Sequence, residues 1–178
     1  MPNNMMEYIN EKMDEIKEIC DEFNYKTNVL DIEKYKIPTM AITIDQDAVG
    51  DDIVLTCNLL PLVIEEYSTL FIQFYMCISD VIPKDRIDII NEFIQKQNEK
   101  FMIGNILNFE DAVCIKYSLY LSANEKIDRD LFARSLDIFV YQANIMLMKV
   151  QDLARGKISI EEALEEGTFF YERARKEQ

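Results

Sequence analysis

Residues 128–156 read DRDLFARSLDIFVYQANIMLMKVQDLARG, and the periodicity of this stretch decides the fold class. Phe132, Leu136, Phe139, Ala143, Met146, Val150 and Leu153 recur at steps of four and three, the spacing that stacks side chains along one stripe of an α-helix. Asp128 is placed to cap the start, Asp130 lies in the first turn where the helix dipole favours a carboxylate, and Gly156 stops the run. Two flanking lines, Leu131/Ile138/Ile145 and Val140/Leu147/Ala154, widen the apolar arc to about 220°. A single sheet does not easily cover so wide an arc. The spacing therefore predicts that another element of the chain, or a second subunit, packs on the remainder.

Upstream, residues 101–121 read as an apolar hairpin: a strand over about 102–109, a turn at Glu110 and Asp111, and a second strand. The second strand places Val113, Ile115, Tyr117, Leu119 and Leu121 on one face and Cys114, Lys116, Ser118 and Tyr120 on the other. Earlier still, Ile9, Met13, Ile16, Cys20 and Phe23 line one side of a helix over 5–23, with Asn4 as its cap and Glu7 in its first turn. A polar connection over 24–36 leads into a first strand in which Met40, Ile42 and Ile44 alternate with Thr39, Ala41 and Thr43. Strands follow over about 53–60 and 70–79, with Pro61 in the connection between them. On the third strand Leu70, Ile72, Phe74, Met76 and Ile78 share one face, and Phe71, Gln73, Tyr75 and Cys77 the other. Both faces are largely apolar, which points to partial cover or to a contact surface. Pro83 opens a helix reaching about residue 100, lined inside by Ile87, Ile90, Ile94 and Phe101. Beyond Gly156, Ser159 and Glu162 spell a capping box for a short helix over 160–166. The aromatics Phe169, Phe170 and Tyr171 then need to dock on the body or on a partner.

Composition narrows the function. The 178 residues hold only four Gly and four Pro and no repeat, which predicts one α+β body over 1–155 with a short helix and tail over 156–178. The 33 acidic residues outnumber the 19 basic ones, a net charge of -14 that repels phosphate backbones and anionic lipid. Nucleic acid and membrane surfaces are poor partners for such a chain, and a cationic or partly unfolded protein is a better one. The same charge also serves solubility. There is no histidine, which removes Ser-His and Cys-His nucleophile pairs and histidine metal ligands. Cys20, Cys57, Cys77 and Cys114 form no C-x-x-C pair, so they read as small buried hydrophobes in a reducing compartment. The first residues lack the blocks of a signal peptide, and no apolar run approaches the ~20 residues of a membrane span, which reads as cytoplasmic. The run Asp45-Gln46-Asp47-Ala48-Val49-Gly50 is spelled like the start of a calcium loop. Val49 supplies no oxygen at the fifth position and Thr56 stands where a bidentate Glu is needed, however, so a hairpin turn is the better reading and no metal or cofactor is expected.

The order helix, three strands, helix, two strands, long helix resembles the type III secretion chaperone-like fold, which is also that of the YbjN family of sensory-transduction regulators. The second half carries the resemblance: Gln97-Asn98-Glu99-Lys100-Phe101, the Gly104-Asn105 strand start, the Asp111 turn, the strand from Lys116 to Leu121 and the heptad-spaced long helix. Lys116 stands where the YbjN pattern carries Arg. The resemblance covers about residues 1–155 and implies a five-stranded antiparallel sheet with helices against one side, a homodimer, and no catalytic residues. The chaperones of this shape hold an extended segment of another protein. On these grounds the expected function is a non-enzymatic protein-binding or regulatory module. Candidate contact residues are Phe71, Gln73, Tyr75, Lys116 and Tyr120 on the second sheet face, with Tyr141 and Met148 on the polar side of the long helix. Two other classes stay open. One is a small-molecule sensor with its pocket between sheet and long helix. The other is an enzyme built on a carboxylate pair such as Asp51/Asp52, Glu65/Glu66 or Glu161/Glu162, which needs one carboxyl pushed into a cleft.

Overall fold

The computed structural model describes residues 5–31, 33, 37–46, 52–64, 67–78, 82–100, 104–109, 112–122 and 125–165. The periodic stretch is a helix, Arg129–Ala154, whose ends are set by its caps. The Asp128 carboxylate accepts the Leu131 N–H at 2.9 Å. At the other end Gly156 is left-handed, with φ of 67°. The Gly156 and Lys157 amides donate back to the Leu153 and Asp152 carbonyls, the Schellman pattern that a residue without a Cβ enters at least cost. The Ser159–Glu162 capping box also forms, each residue's side chain accepting the other's backbone N–H.

In chain order the described elements are α1 (Met5–Glu22), β1 (Lys26–Val29), β2 (Thr39–Gln46), β3 (Asp52–Ile64), β4 (Tyr67–Ile78), a 3-10 turn (Lys84–Arg86), α2 (Ile87–Asn98), β5 (Asn105–Phe109), β6 (Ala112–Ser122), α3 (Arg129–Ala154) and α4 (Ile160–Leu164). The fold is α+β. Its sheet is antiparallel in every pairing and ordered β1-β2-β3-β4-β6-β5. The α2 connection carries β5 one place past β4, and the hairpin return then inserts β6 between them. Gly104, with φ of 89°, lets the chain enter β5 close against β6: a Cβ there would lie 2.1 Å from the Lys116 carbonyl oxygen.

The sheet has six strands, not five. The added strand is β1, in the stretch expected to be a polar connection. Its burial is slight, with Val29 59% exposed, so no apolar alternation marks it. What holds it is the ladder to β2, from Lys26↔Thr43 to Val29↔Met40. The turn into β1 is formed by Asn24 at φ 60°, with Asn24 and Tyr25 amides returning to the Asp21 and Cys20 carbonyls. Pro61 is the second departure: it lies within β3, opposite Leu70. The Leu59 N–H reaches the Pro38 carbonyl at the start of β2, so two residues further the amide position points past the end of that strand. The N–H that proline lacks therefore costs no bond of the β2–β3 ladder.

The helices and the inward strand residues share one core, in which Leu55, Leu59, Ile72, Phe74 and Ile115 meet Ile16, Phe93 and the α3 stripe. Phe74 stands at the centre, edge-on to Phe132 at 5.6 Å between ring centroids, with Tyr117 stacked on Phe139 at 5.9 Å. The stripe from Phe132 to Leu153 is buried, as is the Val140/Leu147/Ala154 line. The Leu131/Ile138/Ile145 line is not: Leu131 and Ile138 are exposed. Ser135, Gln142 and Lys149 fill the angular sector between that line and the stripe and are themselves buried. The extra cover that α3 requires comes from its own chain, through α1, α2 and α4.

The Asn4 cap, the turn around Gly50, the turn at Glu110 and Asp111, the carboxylates of Asp51, Glu65 and Glu66, and the aromatics Phe169, Phe170 and Tyr171 lie outside the described residues.

Candidate functional site

Residues directly opposite one another in an antiparallel ladder share a face. The β4–β6 register pairs Phe71 with Tyr120, Gln73 with Ser118 and Tyr75 with Lys116, while Leu60, Asn58 and Thr56 of β3 stand opposite Phe71, Gln73 and Tyr75. Five of the seven expected contact residues, Phe71, Gln73, Tyr75, Lys116 and Tyr120, thus form one contiguous patch. It lies on the face turned away from the helical core, because the intervening residues Leu70, Ile72, Phe74 and Ile115 are the buried ones.

The patch is ordered by short-range contacts. The Tyr75 hydroxyl donates to Gln73 Oε1 at 3.0 Å, and Lys116 Nζ sits 5.7 Å from the Tyr75 ring centroid, a cation–π arrangement. Tyr120 is 76% exposed, while Phe71 and Tyr75 are half-buried by their strand neighbours. A hollow of about 420 Å³ beside Lys116 is bounded by Gly104, Asn105, Leu107, Lys116, Tyr117 and Ser118.

Sequence reasoning missed part of this surface. Val54 and Leu62 of β3 and Phe109 of β5 stand on the same face and are exposed. Their signal was the period-two run through residues 54, 56, 58, 60 and 62, hidden when Pro61 is taken as a break. Charge was missed as well. Among the described side chains of this face there is no Asp or Glu, and Lys26 and Lys116 are its cations. The carboxylates of α1, α2, α3 and α4, Glu11, Asp14, Glu92, Asp137 and Glu161 among them, are on the exposed helical side.

The other two expected residues do not join the patch. Tyr141 and Met148 lie on the exposed outer side of α3, beyond the Leu131/Ile138/Ile145 line. The seam between sheet and α3, where a small-molecule pocket was expected as an alternative, is filled by Phe74, Phe132 and Phe139. A second hollow, about 400 Å³, lies elsewhere, bounded by Glu11, Asp14, Glu15, Glu18, Lys126, Ile127 and Arg129. Of the expected carboxylate pairs, Glu161 and Glu162 are described; both are exposed at the start of α4, Glu162 within the capping box.

The cysteines need correction. Cys77 and Cys114, expected as separate thiols, are joined by a disulfide across the β4–β6 register. That bond removes the ground for taking all four cysteines as a sign of a reducing compartment. Cys20 and Cys57 are free and buried as expected. Burial, with Asp21 nearby, pushes the Cys20 thiol up to about 12, and burial likewise raises Cys57, so both stay protonated at neutral pH.

The buried cations are structural ties. Lys12 Nζ donates to Glu15 Oε2 at 2.6 Å and to the Glu125 carbonyl at 2.9 Å, fastening α1 to the segment before α3. Lys149 Nζ donates to the Ala163 carbonyl at 2.7 Å, fastening α4. Among the described residues no three His, Cys, Asp or Glu side chains gather as a metal site, and no helix is long and apolar enough to cross a membrane. Compared with known proteins, the sequence matches no family model and no curated protein.

Proposed function

We propose that this chain is a non-enzymatic protein-binding module, chaperone-like in the sense that its resemblance to the secretion chaperones and YbjN-type regulators implies, and that the open sheet face is its recognition surface. The observation that carries this is the make-up of that face: aromatic and aliphatic side chains set among hydroxyls and amides, with no described carboxylate, in a chain that holds 33 acidic residues. Interface centres are depleted in charge and enriched in aromatics, whereas a surface selected only for solubility would share the acidity of the helices. Burial keeps the two free thiols protonated, which fits a non-catalytic role for them.

The test is photocrosslinking in cells with the full chain carrying p-benzoylphenylalanine at position 120, against the same residue at position 17 on the exposed side of α1. The expected result is protein adducts from position 120 and few from position 17. Equal labelling from both positions, or none from 120, would remove the sheet face as a recognition surface.

A further inference from the structure

We propose that Cys77 and Cys114 form a site of reversible thiol–disulfide exchange, in which an external thiol attacks the Cys77 sulfur and Cys114 is the departing and resolving thiol. The proposal stands apart from what the sheet face binds. Three observations carry it. The first is the division of the cysteines into two chemically different pairs. Cys57 lies on the core face of β3, and Cys20, on α1, is buried in the same core. Burial holds both protonated. Cys77 and Cys114 stand on the opposite face, next along the ladder to Tyr75 and Lys116. The sheet thus lies between the free thiols and the bond, and an attacking thiol must come from outside the chain.

The second is asymmetry of access. Cys77 is exposed, whereas Cys114 is only 5% exposed. The ladders give the reason. Cys114 is flanked by Cys77 of β4 and Leu107 of β5, while the described β3–β4 ladder ends at Thr56↔Tyr75 and leaves Cys77 with no paired residue on its other side. A nucleophile therefore reaches Cys77, and the bond breaks toward Cys114. The third is charge. Lys116 is two residues from Cys114 on the same face, ~7 Å along the strand, and its Nζ leans over the Tyr75 ring. No carboxylate is described among the outward side chains of the sheet. In a chain of net charge -14 this is an electropositive, partly exposed setting, the kind in which a departing thiolate is stabilised and cysteines react.

The co-reactant is a dithiol. Its first thiolate bonds to the Cys77 sulfur as the Cys77–Cys114 bond breaks, and Cys114 leaves as a thiolate that takes a proton from water. Its second thiolate attacks its own sulfur in the mixed disulfide, closing the reductant's disulfide and releasing Cys77, which is protonated in turn. Two electrons and two protons have then passed to the protein. The β4–β6 ladder runs from Thr69↔Ser122 to Ile78↔Val113 through backbone pairing, so the strands stay together when the bond opens.

Reduction of the folded chain by dithiothreitol, followed by alkylation and mass measurement with circular dichroism alongside, tests this. The expected result is two new alkylated thiols, at positions 77 and 114, with the native spectrum kept, and the bond restored by glutathione disulfide. Lys116→Gln is expected to slow reduction about threefold, the factor that Coulomb's law in water gives for unit charges ~7 Å apart. Cys114→Ser is expected to take a glutathione adduct at Cys77, and Cys77→Ser to take none at Cys114 under the same conditions. A bond that opens only as the chain unfolds would overturn the exchange site and leave a structural staple. Equal adducts on the two single variants would overturn the assignment of attacked and departing sulfurs, and an unchanged rate in Lys116→Gln would remove Lys116 from the site. Thiols at 77 and 114 that glutathione disulfide never joins would overturn the proposal outright.

Discussion

Tyr25 lies just past the end of α1, and its hydroxyl donates to Asp137 Oδ1 of α3 at 2.5 Å. Burial first, and then this bond, push its pKa above the ordinary phenol value. The folded value is raised over the unfolded one, so the contribution to stability is complete below about pH 10 and is lost as pH climbs past it. Tyr25→Phe is expected to cost about 1 kcal/mol at pH 7 and to lessen the fall in stability above pH 10, read as the urea midpoint against pH. An alkaline slope equal to the parent's would clear Tyr25 of that role. At this scale the sequence was most legible where the governing contacts are local: Asp128, Gly156 and the Ser159–Glu162 box each act within a few residues. Asn24 did not stand out, because asparagine serves equally in any polar loop and takes the left-handed conformation without the signature that glycine gives. The Cys77–Cys114 bond was out of reach, since it needs the β4–β6 register across 37 residues of chain.

Among elements, β5 shows how an exposed sheet edge is closed. The Asn98 carboxamide donates to the Ile106 carbonyl at 2.9 Å and accepts the Ile106 N–H at 2.8 Å, taking the place of one residue of a neighbouring strand. An unpaired edge invites strand addition, and a side chain from the end of α2 blocks it at mid-strand. Asn98→Ala is expected to destabilise the fold by about 2 kcal/mol, one for each bond lost, and to speed hydrogen exchange at the Ile106 amide selectively. Exchange at Ile106 no faster than in the parent would show that the edge is protected by other means. The strands with a buried face, β2, β3, β4 and β6, could be read from alternation, although their limits moved. The edge strand β1 could not, because it is held by backbone pairing and buries little. Pro61 misled for a related reason: its missing N–H matters only if a neighbour is there to receive it, and β2 has ended at that height. The central stripe of α3 and its Val140/Leu147/Ala154 flank were legible, but the Leu131/Ile138/Ile145 flank was misjudged, since Leu131 and Ile138 are exposed while Ser135, Gln142 and Lys149 are buried, and periodicity did not tell which helices supply the cover.

For the molecule as a whole, composition gave a single sum, -14, where the fold has two sides of different character. Carboxylates from residues far apart in sequence gather on the helical side, and the strands contribute none among their described outward-facing side chains. No window of sequence holds that segregation, since it exists only after the sheet order brings β3, β4, β6 and β5 into one plane. Among the described side chains this separation of charge makes the helical layer the electronegative side, so an approaching cation is drawn toward the helices and not toward the strands.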